Sequence, residues 1–142
     1  MLNFSPIVRP MKSRGSDRYG SGQPGSPRDH GSRAHKGLDL IASPNQQVFS
    51  PMRGNIIREA FPYKNDHSLR GILVRGIDEF SGYEMKLFYV NGLFSGLAIP
   101  GQIIGHAMDL SKKYPGITNH VHFEMTFKGA SIDPRSCFLS CF

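Results

Sequence analysis

The chain has 142 residues, of which 39% are apolar and 20% charged, with 16 Gly and 10 Pro. That length suits one domain with one core, and that composition excludes disorder from end to end. No apolar run approaches the roughly 18 residues that cross a bilayer, and no window shows a helical apolar stripe, so a helical membrane span and an all-α fold are both excluded.

The net charge of +6 is concentrated at the start of the chain. Residues 1–34 carry six Lys and Arg against Asp17 and Asp29, with five Gly, four Pro and six Ser. Such a stretch is a poor core former. It reads as an arm for an acidic partner, such as an acidic glycan, or as a solvated tail that aids solubility. No nucleic-acid-binding module accompanies it, so nucleic acid is an unexpected partner. Residues 1–10 lack a basic segment followed by an apolar one, so no secretory signal is expected there.

From His35 onward the pattern changes to short apolar runs separated by turn formers. Strands are expected at 38–41, 47–49, 55–59, 71–75, 84–90, 101–106 and 121–125, and 109–113 has room for one helical turn. Short strands with no long helix between them predict an all-β, antiparallel domain. Cys137 and Cys141, four apart, are too few for a disulfide framework and lack zinc-knuckle spacing. A local bridge, two free thiols and a lipid-modified tail all fit them, with free thiols the expectation.

Two segments carry metal chemistry. In His35-Lys36-Gly37-Leu38-Asp39 a straight strand would hold the histidine and the carboxylate about 13 Å apart. A turn at Gly37, using its freedom at positive φ, is expected to bring them together. In Asn119-His120-Val121-His122-Phe123-Glu124 the two histidines share a strand face, roughly 7 Å apart. One can ligate a metal while the other faces its bound water. Three N and O ligands plus a water make a catalytic zinc site. Glu124 is expected to alternate away from the metal face into a supporting or surface role. His30, His67 and His106 are expected as surface or packing residues, and Asp133-Pro134 as a turn.

Taken in order, residues 35–39, 50–54, 101–105 and 120–124 resemble the motifs of the lysostaphin-type zinc metallopeptidases, antiparallel β domains that cut peptide bridges of bacterial peptidoglycan. Residues 16–23, 61–65, 85–89 and 113–117 resemble more closely the leukocyte chemotaxins, secreted animal signalling proteins with the same peptidase-like fold. The resemblance implies zinc held by His35, Asp39 and His122, with His120 where the active peptidases contact the attacking water or oxyanion. Those enzymes place a second histidine in a Tyr-x-His sequence. Here the place reads Tyr89-Val90-Asn91, and asparagine exchanges no proton near neutral pH. General acid–base help is worth about 10²–10⁴ in rate, so its loss can silence a peptidase.

The function implied is therefore a zinc-binding, chemotaxin-like signalling or binding protein that has lost catalysis, with a cell-surface receptor or acidic glycan as partner. The alternative is a zinc metalloendopeptidase acting on bacterial cell-wall peptides. The chemotaxins are held by disulfides, whereas Ser16, Ser21, Ala42, Glu84 and Thr126 stand at the expected cysteine places. The location implied is extracellular, with the missing cysteines leaving the cytoplasm open. The expected division is a basic flexible arm at 1–14 and one peptidase-like β domain at 15–142, with the metal motifs across 35–124. Arg9, Lys12 and Arg14 are expected to bind polyanion, and deleting 1–14 to leave zinc content intact.

Overall fold

The computed structural model describes residues 2–17, 20–21, 27–28, 33–34, 37–93 and 95–138, with no side chains described from 16 to 36. Two short ladders come first, β1 (Ser16–Asp17) with β2 (Gly20–Ser21) and β3 (Pro27–Arg28) with β4 (Arg33–Ala34). The body follows as β5 (Leu38–Ile41), β6 (Gln47–Phe49), β7 (Gly54–Ala60) and β8 (Gly71–Gly76). After a 3-10 turn at Asp78–Phe80 come β9 (Tyr83–Phe88), β10 (Val90–Gly92), β11 (Gly96–Ala98) and β12 (Ile103–Ala107). The chain finishes with β13 (His120–Phe127), β14 (Ala130–Ile132) and a second 3-10 turn at Pro134–Cys137. Among the described residues every ladder is antiparallel, as the sequence pattern predicted.

The main sheet runs β11-β7-β8-β9-β13-β14, with β5 pairing the first half of β13 on the edge that β14 takes further along. A smaller sheet, β10-β12-β6, stands beside it. Alternation sorts β13 into two faces. Val121, Phe123 and Met125 are buried in the hydrophobic core, while His120, His122 and Glu124 face the other way. The same parity sends Leu38 and Leu40 of β5 into the core and leaves Asp39 on the face of the histidines.

The sequence pattern located the long strands and missed six short ones, β1 to β4, β11 and β14. β11 and β14 are built from Gly-Leu-Ala and Ala-Ser-Ile, which have little intrinsic strand preference. Pairing with β7 and β13 makes them strands. The strand expected at 84–90 breaks at Tyr89, whose φ of 65° lies in the left-handed region.

The first fourteen residues are not the expected flexible arm. Ile7 and Val8 are completely buried and Met11 is 4% exposed, all within the core cluster. Phe4 packs edge-on against Phe80 and Tyr83. The backbone is tied down as well: Phe49 N–H donates to the Ile7 carbonyl and Ile41 N–H to that of Lys12, both at 2.8 Å. The basic count at this end hid Phe4, Ile7, Val8 and Met11, which join or pack against the core.

Among the positions where cysteines were expected, Ser16 is the register partner of Ser21, and Glu84 that of Thr126. The double substitution Glu84→Cys, Thr126→Cys is therefore expected to close on oxidation. A bridge of this kind contributes about 2–4 kcal/mol, against less than about 1 kcal/mol for the exposed Arg75–Glu84 ion pair it removes. Thermal midpoints with and without reductant test this, and equal midpoints would count against it.

Candidate metal centre

The centre is a cross-strand pair. Asp39 of β5 lies directly opposite His122 of β13, and on the other side His122 faces Phe88 of β9, whose ring stacks on the imidazole at 5.8 Å. Asp39 is 2% exposed and His122 8%, so both sit on a covered patch of the sheet. Gly37 is what lets β5 begin so close to β13. A Cβ there would lie 2.1 Å from the Phe123 carbonyl oxygen. Close backbone approach is thus the reason for a glycine here, in place of the positive-φ turn that the sequence suggested.

His122 is held at both ring nitrogens. Nδ1 meets Asp39 Oδ1 at 2.8 Å, and Nε2 meets Glu124 Oε2 at 2.9 Å. Glu124 therefore does not alternate away from the metal face: residues two apart in a strand share a side, and its carboxylate reaches back to the histidine. Burial works against an imidazolium at His122, but the hydrogen bonds to Asp39 and Glu124 outweigh it and raise the pKa to about 9.

His120 stands next along that face, with Nε2 3.5 Å from Asp39 Oδ2. Its Nδ1 is 2.8 Å from the Thr118 carbonyl, which can only accept, so Nδ1 carries the proton and Nε2 the lone pair. Burial pushes its pKa below the ordinary imidazole value, against the raising pull of Asp39. Asn119 fixes the approach to β13 by donating to the Ala42 and Met108 carbonyls at 2.8 and 2.9 Å.

A cluster of three tyrosines adjoins His120 through Tyr89, and the sequence reading gave them no role. Tyr89 packs edge-on to His120 at 5.4 Å. Its hydroxyl meets that of Tyr63 at 3.3 Å, and Tyr63 also bonds the Tyr114 hydroxyl. Burial, then the proximity of Tyr63, raises the Tyr89 phenol well above its usual range, so it stays protonated. The signal for this wall was the repeated appearance of tyrosine in the segments 61–65, 85–89 and 113–117.

Of the remaining expected residues, His35 lies outside the described residues, between β4 and β5. Asn91 is exposed on β10, paired with His106 of β12, and has no side-chain hydrogen bond to His120 or Asp39. His67 stacks on Phe61 at 3.9 Å. His30 and Cys141 lie outside the described residues, and Cys137 is partly exposed. Arg9 is exposed with its guanidinium over the Phe49 ring at 4.1 Å, and Lys12 is exposed. Arg14 is the exception among the expected polyanion ligands. It is 8% exposed and donates to Asp39 Oδ2 at 2.7 Å, so it is unavailable to a surface ligand.

The donor set suits zinc. A carboxylate oxygen and an imidazole nitrogen converge at 2.8 Å, a little under the roughly 3.3 Å between ligand atoms of a tetrahedral ion with bonds of about 2.0–2.2 Å. The second nitrogen of His122 is braced by a carboxylate, as metal-bound imidazoles usually are. Among the described residues, which do not include His35, no group of three His, Cys, Asp or Glu forms a metal-holding cluster.

No family model matches the chain. It is 34% identical over 113 residues to leukocyte cell-derived chemotaxin-2 of Mus musculus, covering 78% of this chain and 71% of the mouse protein. The chain belongs to the leukocyte cell-derived chemotaxin-2 family. Its fold is that of the lysostaphin-type peptidases. The solution structure of lysostaphin superposes with a TM-score of 0.71 at 17% identity, over 98% of this chain and 55% of that one. A zinc-containing peptidase from Vibrio cholerae gives 0.59 at 18% identity, over 93% of this chain and 39% of that one. Among the described residues, no helix is long and apolar enough to cross a membrane.

Proposed function

We propose that this chain is a zinc-binding signalling or binding protein of the chemotaxin type, acting outside the cell and no longer catalytic. The observation that carries the reading is the Asp39–His122 pair, in register with its donor atoms 2.8 Å apart, while Asn91 takes the place of the second histidine. His35, Asp39 and His122 would hold the ion. Bound there, zinc would supply Lewis acidity.

The chain's own groups supply half of a peptidase's proton machinery. His120 Nε2 offers a lone pair on the site face, held in that tautomer by the Thr118 carbonyl. Asn91 cannot take or give a proton near neutral pH, so the position of the second histidine supplies no base. Presentation of a ligand surface is then the use left to the site. A receptor or an acidic glycan is the partner we favour, met by exposed cations such as Arg9 and Lys12.

Elemental analysis is expected to find about one zinc per chain, and the wild-type chain to cleave pentaglycine and cell-wall peptide no faster than background. Asn91→His is expected to raise any residual cleavage, within the roughly 10²–10⁴ that a general base supplies. Robust turnover by the unmodified chain would make it a zinc metalloendopeptidase. Zinc-free protein would reduce the domain to a scaffold.

A further inference from the structure

Arg14 reaches the candidate metal centre from the N-terminal segment, outside the sheet that carries the ligands. Its Nη1 lies 2.7 Å from Asp39 Oδ2, with side-chain exposures of 4% and 3%. The backbones make the same connection: Arg14 N–H donates to the Asp39 carbonyl at 2.9 Å, and Ser13 bridges Leu40. The two carboxylate oxygens are thereby divided. Oδ1 faces His122 Nδ1 and Oδ2 is held by the guanidinium.

A carboxylate tied at one oxygen by a charge-assisted bond loses its rotational freedom and presents the other oxygen in one direction. Partners that orient a ligand in this way are typically worth about 10–100-fold in metal affinity. Repulsion between the guanidinium and a dication acts in the opposite sense. Among the described residues, Asp39 and Glu124 set two carboxylates beside that guanidinium and offset its repulsion, so orientation is the effect to test.

We propose that Arg14 is a positioning residue of the metal centre, which turns Asp39 Oδ1 toward the metal and makes the N-terminal segment part of the site. This rests on the zinc reading above. It reverses the expectation that residues 1–14 are dispensable for zinc.

The test uses full-length wild type, Arg14→Met, Arg14→Lys and, as an exposed control, Lys112→Met. Zinc affinity is read by competition with a chromogenic chelator, folding by circular dichroism, and ligand geometry by the visible spectrum after cobalt substitution. Arg14→Met, which keeps the apolar stem, is expected to lose about 10–100-fold in affinity and to shift the cobalt bands. Arg14→Lys keeps a point charge without the fork and is expected to recover part of the loss. If Arg14→Met does not fold, Arg14→Lys alone decides, with a several-fold loss expected. A folded Arg14 variant with wild-type zinc affinity overturns the role of Arg14 and leaves the zinc centre standing. A wild-type chain that takes up no zinc overturns both.

Discussion

A chain that begins at residue 15 is expected to be largely unfolded in water at room temperature. Truncation removes Ile7, Val8 and Met11, each at most 4% exposed in the core. Burial of such a side chain contributes about 1.5–3 kcal/mol, so the three together are worth on the order of 5–9 kcal/mol. The whole net stability of a domain is about 5–15 kcal/mol. Phe4 and its ring contacts with Phe80, Tyr83 and Phe138 go as well, as do the backbone bonds to Phe49 and Ile41. Circular dichroism and urea unfolding of the truncated chain give the answer. A native spectrum with a cooperative transition near the wild-type midpoint would show that the segment is an appendage after all. The point substitution Ile7→Ala isolates one packing contact and is expected to cost about 2–5 kcal/mol.

The second large effect is expected from His122→Ala. Zinc content should fall to background, because the alanine removes the one imidazole that opposes Asp39 across the strands. The metal-free fold should also lose about 3 kcal/mol. That is the low end for breaking a buried ion pair, since Arg14 still neutralises Asp39. The pH dependence has a defined sign in chelator-treated protein. The pKa of His122 is raised in the folded state to about 9, so its contribution is complete below the ordinary imidazole value of about 6.5. It fades as pH rises through about 9. The stability difference between wild type and His122→Ala should therefore shrink from neutral to alkaline pH. A constant or growing difference would mean that His122 is neutral in the folded chain. Retained zinc in His122→Ala would remove it from the ligand set.

Much of this protein was legible in local pattern. Turn formers around short apolar runs gave the strands from β5 to β13 except β11, and the spacing of two put His120 and His122 on one face. Applied consistently, the same parity would have put Glu124 there too. Motif order gave the family, because the residues around Gly37 and across His120–Glu124 are constrained by backbone approach and by chemistry together. What local pattern could not supply is which segments meet. Arg14 read as a surface cation because charge is counted along the chain, while its partner Asp39 lies 25 residues away. The tyrosine wall joins Tyr63, Tyr89 and Tyr114 from three connections, and no periodicity links them. Ile7, Val8 and Met11 sit in a stretch whose Pro, Ser and Arg content announces solvent. Their burial is decided by the core cluster they share with residues of both sheets. Strand parity and turn chemistry act over a few residues and are written in the sequence. Desolvation, and the pairing of buried charges, exist only once distant segments have closed around them.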